Sequence, residues 1–155
     1  MKSAILESVQ QSDGRYLDDV ELRPFAQFVT TFDKRLKVYL WIKDEEEKLT
    51  LKALRQLMQT NHRKTVQEHG AICQRDMRYT LQFIGKAILQ DSPEGFMEEY
   101  VVWMQNIMRA FQKQNSVVET YRLLQTEISA ALPADEAALI NGYLDTLAQA
   151  VADGI

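Results

Sequence analysis

Apolar residues in this chain recur mostly at three- and four-residue steps, and few stretches alternate in the way a strand requires. Helices are therefore expected throughout. The first is expected over residues 2–12, and Asp13-Gly14 marks a turn after it. Asp18 or Asp19 can cap a second helix in which Leu22, Phe25, Ala26, Val29 and Phe32 share a face, running to about residue 42. Pro24 falls in its early turns, where proline is best tolerated. Asp44-Glu45-Glu46-Glu47 reads as a solvated link or a helix start. Residues 49–58 read as helix, with Leu51, Leu54, Leu57 and Met58 on one side, and residues 62–70 are polar and ambiguous.

The best-defined helix is expected over residues 71–89. Its core stripe is Ile72, Met77, Thr80, Ile84, Ala87 and Ile88, with Cys73 and Asp76 at the edge. Asp91-Ser92-Pro93 stops it and starts the next, which carries Phe96, Met97, Tyr100, Val101, Met104, Ile107, Met108 and Phe111. Gln114-Asn115-Ser116 is expected to break that helix, a further one covers 117–132, and Asp135 can cap a last one that reaches Ala152. Trp41 and Trp103 are expected as packing anchors. With no repeat, linker or low-complexity segment, residues 1–155 read as one all-α domain, for which globin-like packing is one option among several.

Composition narrows the function. The 155 residues are 46% apolar and 26% charged, ordinary for a globular chain with a real core, and the net charge of −4 argues against nucleic acid as a partner. No apolar run approaches the roughly 18 residues that span a bilayer. The N-terminal stretch lacks the apolar core of a secretion signal, so an intracellular, cytoplasmic protein that is not integral to a membrane is expected. A single cysteine excludes an internal disulfide and a cysteine-based zinc site. His62 and His69 could share a helix face but lack the acid partners of a good metal motif. No nucleophile–base pair, phosphate loop or paired-acid helix motif is legible, so no enzyme is expected.

Four local strings go further. Cys73-Gln74-Arg75-Asp76, followed by Tyr79, resembles the Cys-x-Arg-Asp-x-x-Tyr bilin site of phycobiliproteins. The segments from Ser12 to Leu17, from Gly95 to Tyr100 and from Asn141 to Asp145 resemble, in order, three other strings of that family. The resemblance implies a globin-like phycobiliprotein fold with an N-terminal helical extension. It also implies an open-chain tetrapyrrole, phycocyanobilin or a related bilin, held by Cys73, Arg75, Asp76, Tyr79 and Tyr100. In that picture Cys73 forms a thioether, Asp76 accepts from the inner pyrrole N–H groups, Arg75 grips a propionate, and Tyr79 stacks on or bonds to the pigment. Cys73 and Asp76 lie three apart and so share a helix face. Positive charge from Arg75, Arg78 or His69 is expected to lower the Cys73 pKa.

The chain also departs from the family. Tyr79-Thr80-Leu81-Gln82 stands where light-harvesting members resemble Tyr-Tyr-x-Arg, so the arginine that joins two unlike antenna subunits is Gln82 here. Ile72 precedes the cysteine where many members carry a polar or basic residue, and residues 49–70 match poorly. These departures resemble the non-antenna relatives called bilin biosynthesis-associated globins, which implies a carrier, regulatory or assembly role linked to photosynthesis. Two alternatives stay open: an antenna subunit of a phycobilisome, and a pigment-free scaffold. A homo-oligomer or a photosynthetic assembly partner is implied in either case.

Overall fold

The computed structural model describes residues 3–153, and among them every regular element is helical. The elements are α1 (Ser3–Gln11), α2 (Asp19–Thr30), α3 (Phe32–Leu57), α4 (Arg63–Gln90), α5 (Pro93–Phe96), a π turn (Met97–Val101), α6 (Val102–Ala110), α7 (Gln114–Ala131) and α8 (Ala134–Ala152). Lys2, expected to open the first helix, lies outside the described residues.

The core sits where α3, α4, α7 and α8 meet. Val38, Ile42, Leu49 and Ala53 of α3 face Leu81, Ile84 and Ile88 of α4, with Leu124 and Ile128 of α7 and Ile140, Leu144 and Leu147 of α8 closing the cluster. The approach of α3 to α4 is close. A Cβ on Gly85 would meet the Tyr39 ring at 3.3 Å, so this position needs a small residue.

Sequence and structure part in several places. The acidic run is neither link nor start, because α3 continues through it. Glu46 turns inward, where Arg78 donates to its Oε1 at 2.8 and 3.1 Å and Gln82 donates at 3.0 and 3.2 Å. Glu45 pairs with Lys48 on the outside. Acids are adequate helix formers, and one of them finds its partners across the interface.

The expected second helix breaks at Thr31. The Thr31 hydroxyl donates to the Gln27 carbonyl at 2.9 Å, and the chain turns into α3. Asp18 rather than Asp19 caps α2, accepting from the N–H groups of Val20 and Glu21 while Glu21 reaches back to the Asp18 N–H. The Arg15 guanidinium first, and then that contact with the Asp18 N–H, hold the Glu21 carboxyl down to about 2. The expected apolar stripe of α2 is not a core stripe, because the helix has no buried residue and Val29 is 70% exposed.

Residues 63–70 join the expected 71–89 helix as one α4, kinked at His69 (φ −135°, ψ 21°). Val66 is the one buried residue before the kink, which left no stripe to read. Ile72, expected in the core, is 49% exposed. The buried line through Met77, Leu81 and Ile84 reaches Cys73 and Gln74 one turn earlier, and Ile72 lies a residue out of phase. Leu51 is exposed as well, on the outer side of α3.

Two further boundaries move. The break after α6 falls at residues 111–113, where Gln112 takes a left-handed backbone (φ 53°), and Gln114-Asn115-Ser116 begins α7 instead. Pro133 precedes α8, and Asp135 sits in its first turn, bonded to Lys34 at 2.7 Å. Pro93 opens α5 as expected.

Candidate functional site

Cys73, Arg75, Asp76 and Tyr79 stand on α4 in the two turns that follow the His69 kink. Cys73 is half-buried and free, and Asp76 is partly exposed. Arg75 donates from Nε and Nη2 to Asp76 Oδ1 at 3.1 and 2.9 Å, and its guanidinium lies 5.9 Å from the Tyr79 ring centroid. Four of the five expected residues are therefore together on one stretch of helix, with a charged pair open to solvent at its centre.

Tyr100 is placed differently. It is 2% exposed in the π turn, and its hydroxyl lies 2.7 Å from Thr80 Oγ. The Thr80 hydroxyl donates to the Asp76 carbonyl at 3.0 Å, so Tyr100 is the donor to Thr80. Tyr100 thus sits beneath the surface that Asp76 occupies, linked to it through Thr80. Burial pushes the Tyr100 phenol up to about 12.

The electrostatics correct one expectation. The Cys73 thiol is raised above its ordinary range, first by burial and then by the Asp76 carboxylate, and Lys113 rather than Arg75, Arg78 or His69 is the cation that works against the rise. Arg75 is neutralised by Asp76, and Arg78 is held by Glu46 on another side of the helix. His69 lies 4.0 Å from Glu68, and His62 bonds Glu119 at 2.9 Å.

Two clefts open along α4. One, of about 280 Å³, is lined by Ala71, Gln74, Arg75, Arg78, Tyr79 and Gln82. At 3.6 residues per turn these lie on the side of α4 away from Cys73, so the cleft offers Arg75 and Tyr79 but not the sulfur. The other, of about 220 Å³, is floored by Phe83, Ala87 and Phe96 and rimmed by Lys86 and Glu99. Its α4 residues continue the face that carries Asp76.

Sequence reasoning missed an aromatic cluster at the edge of that face. Phe83 stacks on Tyr100 (centroids 4.5 Å apart, planes at 24°), and Trp103 lies 5.9 Å from Tyr100. Trp103, expected as a packing anchor, is 54% exposed. The signal that could have found it is the π turn, an extra residue that rotates the start of α6 and that no periodicity reveals.

Comparison with known proteins covers nearly the whole chain. The family described as phycobilisome protein matches residues 7–151. The allophycocyanin alpha chain of Mastigocladus laminosus is 26% identical over 160 residues, covering 97% of this chain and all of that one. No helix among the described residues is long and apolar enough to cross a membrane.

Proposed function

The chain belongs to the phycobilisome protein family and has its globin-like, all-helical fold, and from that premise we propose that it binds a linear tetrapyrrole along the α4 face carrying Cys73 and Asp76. The observation that carries this reading is the pairing of a half-buried thiol with an accessible carboxylate one turn on, flanked by the Arg75 guanidinium. These groups suit an open-chain pigment of the phycocyanobilin type. A carboxylate beside pyrrole N–H groups favours their protonated form, because opposite charges stabilise each other where water is scarce. Arg75 can exchange Asp76 for a propionate, which it would grip through two N–H groups.

Attachment needs only the chain's own sulfur. Cys73 Sγ adds to one carbon of an exocyclic double bond, its proton goes to the other, and nothing leaves or is oxidised. With its pKa raised, Cys73 is a protonated thiol near neutral pH, so addition is slow unless a partner protein assists it. Tyr100 supports the site from below rather than touching pigment directly.

We assign the protein a binding role in carriage, regulation or assembly rather than catalysis, in the cytoplasm or at the edge of photosynthetic membranes. Gln82 favours this over an antenna subunit, since it is engaged inside the chain by Glu46. A second reading concerns partners. The exposed apolar residues of α2, with Leu6 and Val9 of α1, are suited to another subunit, whether a second copy or a photosynthetic protein.

Co-expression with a haem oxygenase and a bilin reductase should yield a coloured protein with a zinc-fluorescent band on a denaturing gel, and Cys73→Ala should lose the band. Colourless protein after verified bilin synthesis overturns the reading, and a band that survives the substitution overturns attachment at Cys73.

A further inference from the structure

We propose that Phe83 and Trp103, flanking the buried ring of Tyr100, form the platform that holds the end of the pigment remote from Cys73. The inference rests on the bilin-binding reading and concerns residues to which that reading gives no part. From Cys73 to Phe83 is ten residues, about 15 Å along a helix that rises 1.5 Å per residue, a run long enough to take four pyrrole rings laid lengthwise. Asp76, Thr80 and Phe83 follow one another along that run on a single side of α4. A chain fixed at Cys73, with its inner nitrogens at Asp76, therefore reaches its far ring at Phe83.

The surface there suits a flat apolar ring. Phe83 is 37% exposed and backed by Tyr100, which is itself packed against Phe96 at 5.6 Å, so the outer face of Phe83 is fixed from behind. Trp103, on the neighbouring helix, presents its indole beside the same ring of Tyr100. The π turn accounts for the placement. Its extra residue lets Tyr100 point inward and Trp103 outward within three positions. Aromatic side chains gain from offset or edge contacts with another ring, and two left open to solvent beside a buried third make a ready stacking site.

Holding the far ring has a spectroscopic consequence. A pyrrole free to rotate about its bridge loses excitation without emission, and a stacked one does not. The test uses the full chain loaded by co-expression with bilin-synthesising enzymes, comparing wild type with Phe83→Ala, Trp103→Ala and the conservative Trp103→Phe. Circular dichroism confirms that each variant is folded. The two alanine variants should keep the zinc-fluorescent covalent band and lose severalfold in fluorescence yield, because the far ring is held stacked for less of the time. Trp103→Phe should recover most of that yield. Unchanged yield in both folded alanine variants overturns the platform while leaving attachment at Cys73 intact. A missing band in a folded alanine variant also overturns it, because a contact remote from the sulfur does not govern bond formation. A wild type that takes no pigment overturns the bilin reading itself, and this inference with it.

Discussion

Asp76 acts on two groups from one position. Its carboxylate raises the Cys73 thiol one turn back, and its backbone carbonyl accepts from Thr80, which in turn accepts from Tyr100. Replacing Asp76 with Asn removes the negative neighbour and leaves the backbone contact. More thiolate is then present, and alkylation of Cys73 by iodoacetamide near neutral pH should run severalfold faster than in wild type, measured by mass spectrometry. The tyrosines set the alkaline limit. Burial raises Tyr100 and Tyr143 from the ordinary 10.0 to about 12. The unfolded chain gives up these protons first, so their contribution to stability is whole below pH 10 and is lost as pH rises through 12. Melting followed by circular dichroism should show a midpoint that falls steeply over that window.

Among the elements, α2 is held by charge and hydrogen bonds rather than by buried apolar area. Arg35 of α3, 4% exposed, donates to the carbonyls of Ile88 and Leu89 at the end of α4, to Phe28 in α2 and to the Thr31 hydroxyl at the joint. Its guanidinium lies 4.2 Å from the Phe28 ring centroid. Two helix C-termini, those of α2 and α4, thus converge on one cation, as the negative end of a helix dipole favours. Arg35→Met keeps much of the volume and strands those carbonyls, and should cost roughly 3 kcal/mol in urea unfolding. The Glu46–Arg78 pair joins α3 to α4 in the same way, with Glu46 buried and Arg78 partly exposed.

For the whole molecule, the core and the proposed pigment face lie among α3 to α8, while α1 and α2 present Leu6, Val9, Val20, Leu22 and Val29 to solvent. An unpartnered helix face of this kind marks an interface. Sedimentation of the wild type should show an assembly larger than the monomer, with itself or with a co-expressed photosynthetic partner. The double substitution Val20→Asp and Val29→Asp should return it to monomer without changing its helical content. A wild type that stays monomeric with every such partner would remove the surface from consideration.

The linear pattern settled some of this alone. Only six glycines, three prolines and 3.6-residue spacing were enough for an all-helical chain, and Pro93 set a boundary through its fixed φ. The string from Cys73 to Tyr79 put four chemical groups on one helix, with Cys73 and Asp76 on one face and Arg75 and Tyr79 on another, because residues three and four apart share a face whatever surrounds them. Packing decided the rest. Whether Glu46 breaks a helix or bonds Arg78, whether Ile72 and α2 are buried, whether the Cys73 thiol is lowered or raised, and where Tyr100 and Trp103 point all depend on partners distant in sequence. Spacing along one helix says which side chains are neighbours, and only the other helices say which of those neighbours meet water.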